Sequence, residues 1–192
     1  MAIEPSSLKI VFYPDPVLRR RAQEIREFSP RLGEIVERMV FLMREARGIG
    51  LAAPQVGLGI RLFIADVPAS EGGEGPAGTM TSTNGVEVYI NPVLSHPRGE
   101  VTLSDEGCLS LPCIRGEVPR PPMVRMTAQG LDGTPFTREG AGLLARCWQH
   151  ECDHLDGVLI LDRFTAESKM KNRPFAKALE RAYKPGRGGR SA

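Results

Sequence analysis

The pentad His150-Glu151-Cys152-Asp153-His154 constrains this chain more than any other stretch. On a helix, at about 100° per residue, its two imidazoles lie one turn and about 40° apart on one face, a spacing that suits two nitrogen ligands of one metal ion. Glu151 sits about 100° round from His150. That places it beside the ion but off the ligand face, where a carboxylate can act as base on a water. The surrounding residues permit the helix. Residues 139–155 contain no proline, carry glycine only at Gly140 and Gly142, and are halted by Gly157. Leu143 and Cys147 share the histidine stripe, and Leu144, Trp148 and Leu155 form an adjoining apolar one, so the helix is expected to be buried and central. Residues 158–161 after it read as β-like.

Two histidines leave a third ligand to be found elsewhere, and the sequence closes several routes. A metalloprotease of the H-E-x-x-H-x-x-G-x-x-H type matches as far as Gly157 but has Ile160 where the last histidine belongs. A protease drawing a glutamate from a later helix has only Glu180, inside a polar, basic segment. His96 falls in His96-Pro97-Arg98-Gly99, which reads as an exposed turn. Cysteine remains, at four positions. Cys108 stands out in Asp105-Glu106-Gly107-Cys108-Leu109-Ser110-Leu111-Pro112, where the glycine permits an unusual backbone angle and the proline fixes the exit. Cys113 directly follows that proline without such presentation. Cys147 is suited to lining a pocket, and Cys152 points away from the metal face as an inert buried thiol. There is no C-x-x-C pair for a four-cysteine zinc site, Cys147 and Cys152 face different ways, and no signal-peptide stretch suggests a disulfide framework.

Glu106-Gly107-Cys108-Leu109-Ser110 and Gln149-His150-Glu151-x-x-His154, with the upstream Gly48-Ile49-Gly50-Leu51-Ala52-Ala53-Pro54-Gln55, resemble the three motifs of the peptide deformylase family in order and spacing. The resemblance covers residues 8–164. The first motif also fits the dinucleotide fingerprint G-x-G-x-x-G/A, with Asp66 a plausible distance on. That reading needs a strand before the glycines and a helix after them. Here a helix precedes them, with Leu32, Ile35, Val36, Met39, Val40, Met43 and Ala46 at 3/4 spacing after a Ser29-Pro30 start, and Pro54 discourages a helix afterwards. The glycines Gly48 and Gly50 are instead expected to let an extended substrate lie close, while Gln55 points an amide at the reacting carbonyl.

The resemblance implies a metal-dependent hydrolase that removes the formyl group from N-terminal formylmethionine of nascent polypeptides. Cys108, His150 and His154 would hold one divalent ion with a fourth position for water, and Glu151 would move the proton. Gln55 and the backbone N–H of Leu109 would hold the oxyanion. Gly48, Ile49, Gly50, Gly107, Leu143, Cys147, the aliphatic part of Glu106 and, near the substrate backbone, Arg115 would bind substrate. Ile49 and Leu143 serve equally as ordinary core. Arg120 could pair with Asp153, and Arg146 places a charge where the family often has an aliphatic pocket residue. The family is known for ferrous iron, and the ligand set also accepts zinc, nickel or cobalt.

Strand candidates are residues 8–12, 60–66, 86–91 and 124–129, with a hairpin signal at Leu131-Asp132-Gly133-Thr134 and a mobile loop over 68–85. The expected fold is α+β, with mixed or antiparallel sheets around the central metal-binding helix and a further helix near each end. Residues 1–166 form one catalytic domain in this reading. Residues 167–192 carry eight basic and two acidic side chains, a charge of +6 against −4 for the rest, and are expected to form a basic helix around 175–183 and a disordered Gly/Arg tail. Ribosomal RNA is the partner that this charge and the family's task suggest. DNA is not expected as a partner, and neither is a membrane, for which no apolar run approaches the needed length. The expected location is the bacterial cytoplasm, with a processed organellar form as alternative. Two other classes compete: a metalloprotease of internal peptide bonds, and a silent relative that only binds nascent chains or ribosomes. Glu151, Gln55 and three intact ligands argue against the silent relative.

Overall fold

The structure of the chain is a computed structural model and describes residues 4–184. A five-stranded antiparallel sheet runs in the order β1 (Gly50–Ala52), β2 (Leu62–Ala65), β3 (Glu87–Arg98), β6 (Met123–Gln129) and β7 (Pro135–Ala141). A separate antiparallel hairpin joins β4 (Thr102–Cys108) to β5 (Leu111–Arg120). The helices are α1 (Pro30–Glu45), the single-turn α2 (Ala69–Gly72) and α4 (Ile160–Arg163), the central α3 (Gly142–Leu155), and α5 (Ala166–Ala182). The fold is therefore α+β with antiparallel sheets.

The apolar stripe of α3 explains its central place. Leu144, Trp148 and Leu155 are fully buried against the five-stranded sheet, and Trp148 meets Tyr89 edge-on at 5.7 Å while Tyr89 stacks on Phe63 at 4.5 Å. On α1 the 3/4 spacing buries Leu32, Val36, Met39 and Met43 in one cluster with Leu51 of β1 and Leu62 and Ile64 of β2. A third cluster, of Leu111, Ile114 and Val118 with Leu159, Ile160 and Phe164, fixes the β4–β5 hairpin beside the end of α3.

Several expectations need correction. The helix expected from residue 139 begins at Gly142, because residues up to Ala141 are held in the β6–β7 ladder. Residues 158–161 form no strand: Leu159 is extended, but Asp162 accepts its N–H at 2.8 Å and the chain turns into α4 at Ile160. Residues 8–12 form no strand, and the chain there is tied by Val11 N–H to the Gln55 carbonyl and Tyr13 N–H to the Ser110 carbonyl, both 2.9 Å. His96 lies within β3 rather than in a free turn, with a positive φ of 49°. The 68–85 segment contains α2 and a bridge from Met80 to Gly140. The C-terminal helix starts at Ala166, far ahead of residue 175, and the expected Gly/Arg tail lies outside the described residues.

Candidate active site

Three elements bring the motif residues together. Cys108 ends β4 at an irregularity in the β4–β5 register between Gly107 and Cys108. Gly107 keeps an ordinary φ there, so the turn owes its shape to this irregularity and not to a left-handed glycine. His150, Glu151 and His154 come from α3, and Gln55 from a short 3-10 turn, Ala53–Val56, after β1. The ligand atoms of Cys108, His150 and His154 all lie within 4.8 Å of one another, and Cys108 Sγ is 3.2 Å from His154 Nε2. A thiolate and two imidazoles at that separation fit one small divalent cation. Burial favours the neutral form of His154, the form a ligand must have.

One cavity of about 730 Å³ is lined by Gly48, Ile49, Gly50, Gln55, Glu106, Gly107, Cys108, Leu109, Arg115, Leu143, Arg146, Cys147, His150 and Glu151. Every residue expected to bind substrate thus faces the same space, and His154 sits behind it, 1% exposed. Glu151 is buried, and burial pushes its carboxyl up to about 7. Its Oε2 has no hydrogen-bond partner among the described residues. An unpartnered buried carboxylate oxygen is costly, and it is what a base has before its proton donor arrives.

Gln55 is held by its own turn: Oε1 accepts the Ala52 N–H at 2.8 Å. Its amide donates to Ser110 Oγ at 3.4 Å and to Cys108 Sγ at 3.5 Å. The bond to Ser110 exceeds the usual N–H···O range of about 2.7–3.2 Å, so the amide is oriented without being firmly engaged. The two glycines of the first motif serve neighbouring side chains. A Cβ on Gly50 would collide with Glu151 Oε1 and stand 2.9 Å from Cys147 Sγ, and one on Gly48 would stand 2.7 Å from Leu109 Cδ1. Gly50 therefore makes room for the base as well as for any substrate.

Sequence reasoning missed the work of the Glu106 carboxylate. It does line the cavity, but its oxygens are engaged by Arg120 Nε at 2.7 Å, Arg120 Nη2 at 3.0 Å, Arg146 Nη1 at 2.9 Å and His150 Nδ1 at 3.2 Å. Burial acts to raise its pKa, but the bonds from His150 and Arg120 outweigh that and hold it at about 2. Arg120 also donates to Asp153 at 2.9 Å, the pairing suggested by the sequence, and Arg163 reaches Asp153 from outside. A carboxylate on Nδ1 leaves Nε2 as the His150 ring nitrogen available to Cys108 and to a metal. Arg146 is pinned by Glu106 and the Val118 carbonyl, at the cavity edge. Arg115 lines the cavity mouth, where its Nε pairs with Asp105 at 2.7 Å. Cys152 is buried and its thiol pushed up by burial, in keeping with an inert role.

The sequence model described as polypeptide deformylase matches residues 7–170. A peptide deformylase of Opitutus terrae is 41% identical over 172 residues, covering 85% of this chain and 88% of that protein. The chloroplastic peptide deformylase 1B of Solanum lycopersicum is 41% identical over 176 residues, 92% of this chain and 60% of the longer plant protein. A crystal structure of peptide deformylase from Plasmodium falciparum superposes with a TM-score of 0.83 at 35% identity, covering 94% of this chain and 100% of that one. With that match across most of its length and a Cys/His cluster able to hold the family's metal, the chain belongs to the polypeptide deformylase family, enzymes that remove the N-formyl group from the formylmethionine of newly synthesised polypeptides.

Proposed function

We propose that Cys108, His150 and His154 hold the divalent ion, ferrous iron in the cell, and that Glu151, Gln55 and Leu109 carry the chemistry around it. The convergence of the three ligand atoms beside a buried, unpartnered Glu151 carries this reading. Activation of a water and positive charge beside the developing oxyanion are what a divalent ion supplies at such a site. Glu151 takes a proton from the attacking water, whose oxygen adds to the formyl carbon. The Gln55 amide and the Leu109 N–H hold the carbonyl oxygen as it becomes anionic. Glu151 then passes its proton to the amine as the C–N bond breaks, giving formate and a free amino terminus. Ile49, Leu143 and Cys147 receive the methionine side chain, with Gly48, Gly50, Gly107 and Arg115 beside the peptide backbone. Arg146, held to Glu106, closes the rim of that pocket.

Gln55→Ala tests the oxyanion role. It is expected to lower kcat for formyl-Met-Ala-Ser by a factor on the order of 10²–10³ with little change in KM. Steady-state formate release measures both, and a kcat near that of wild type would remove Gln55 from the mechanism.

On α5 the side chains of Lys169, Arg173 and Lys177 share one exposed face. We assign this face to ribosomal RNA near the emerging chain. Reversing all three to Glu is expected to weaken ribosome co-sedimentation and to lower its log–log salt slope by about one unit per lost charge. Binding unchanged in strength and salt dependence would refute it. Bacterial cytoplasm is the setting this substrate suggests. The chloroplastic tomato relative favours a processed organellar form as the second reading, and no helix among the described residues is long and apolar enough to cross a membrane.

A further inference from the structure

The active-site cavity extends well past the methionine pocket. Its lining runs from Cys108, His150 and Glu151 to Lys171 and Phe175 of α5. At about 100° per residue Ser168, Lys171, Asn172 and Phe175 share one face of α5, opposite Lys169, Arg173 and Lys177. This inner face is firmly docked on β5. Buried Asn172 donates to the Arg115 carbonyl at 2.8 Å, and buried Ser168 accepts the Glu117 N–H at 3.0 Å. Gly116 permits the approach, since a Cβ there would stand 2.8 Å from Ser168 Cβ. The helix is thus a fixed wall of the cavity mouth.

Two features of that wall lack a structural purpose. Phe175 is 50% exposed at the cavity, and Lys171 makes no hydrogen bond or ion pair among the described residues. Resting on the deformylase reading of the same site, the direction of the substrate decides what meets them. The formyl group is the end of the chain and sits at the Cys/His cluster, so the peptide can leave only outward from it. We propose that Phe175 and Lys171 form a subsite for residues downstream of the second, taking an apolar side chain against the Phe175 ring and an acidic one beside the Lys171 ammonium. The first contact removes apolar surface from water on both partners, and the second places opposite charges together at a partly enclosed mouth. Both act on binding of the ground state and the transition state alike, so they belong in KM and not in kcat.

The test compares kcat/KM for formyl-Met-Ala, formyl-Met-Ala-Phe-Asp and formyl-Met-Ala-Phe-Lys, using the full-length metal-loaded enzyme and formate release. Wild type is expected to prefer the Phe-Asp tetrapeptide over the dipeptide by about tenfold, through KM. Phe175→Ala is expected to reduce that ratio by about fivefold, the scale of one partly buried apolar contact. Lys171→Glu is expected to reverse the preference between the Asp and Lys tetrapeptides. Ratios unaltered in both variants, or no tetrapeptide preference in wild type, would overturn the subsite. Absence of formate from formyl-Met-Ala with wild type would instead count against the catalytic assignment itself.

Discussion

Replacing Glu151 by glutamine is expected to reduce kcat for formyl-Met-Ala-Ser by a factor on the order of 10³–10⁴ while the protein keeps one bound metal ion per chain. The side chain is almost isosteric, so the buried space against Gly50 and Cys147 stays filled. An amide cannot take the proton from water or return it to the leaving amine. Because Glu151 lies off the face shared by His150 and His154, its loss leaves the three ligand atoms untouched. Metal analysis beside steady-state kinetics reads both halves of the prediction. Activity within tenfold of wild type would show that another group moves the proton. Loss of the metal would show that Glu151 is part of the ligand set.

The largest stability effect is expected at Arg120, not at the reacting centre. Its side chain is 5% exposed and bridges Glu106, 6% exposed, to Asp153, 13% exposed. Arg120→Met removes the charge and the forked donors while keeping much of the volume, which leaves a buried carboxylate with only Arg146 and His150. Breaking a buried pair in this way costs about 3–5 kcal/mol, or roughly 6–20 °C in Tm for a domain of this size. Arg120→Lys should recover only part of the loss, since an ammonium cannot make the two parallel bonds to Glu106. Melting curves on metal-free protein separate this cost from any stabilisation lost through weaker metal binding. A Tm within about 2 °C of wild type would mean that the Glu106–Arg120–Asp153 network contributes little net stability.

What the sequence disclosed follows from the range over which each feature acts. The His150–His154 pair and the amphipathic stripes of α1 and α3 are set by helical periodicity, and both helices lie where that periodicity put them, apart from the first turn expected of α3. Cys108 could be singled out because Gly107 and Pro112 flank it in a short local motif, although the turn itself is shaped by the β4–β5 register irregularity. The Glu106 network could not be read, since it depends on the β4–β5 register that brings Glu106 opposite Gly116 and places Arg120 at the far end of β5 beside α3. Nothing in one sequence fixes that register. The need for Gly50 is hidden for the same reason: the atom it avoids, Glu151 Oε1, is a hundred residues away in the chain. Residues 158–161 show the limit of propensity, where an aspartate capping its own turn overrode a short β-branched and aliphatic run. The start of α5 was missed because Ser168 and Asn172 are polar residues buried by hydrogen bonds to β5, which periodicity of apolar residues cannot register.

In the reading proposed above, the Cys108, His150 and His154 cluster, with Glu151 beside it, hydrolyses a formyl amide at a chain terminus and not an internal peptide bond. The most direct test is formate release from formyl-Met-Ala-Ser by anaerobically prepared protein, before and after metal removal by a chelator and again after adding ferrous iron. An unformylated internal peptide serves in parallel. Formate is expected from the first preparation, close to none after chelation, full recovery with iron, and no cleavage of the internal peptide. No formate from the iron-loaded protein, or scission of the unformylated peptide, would refute this assignment.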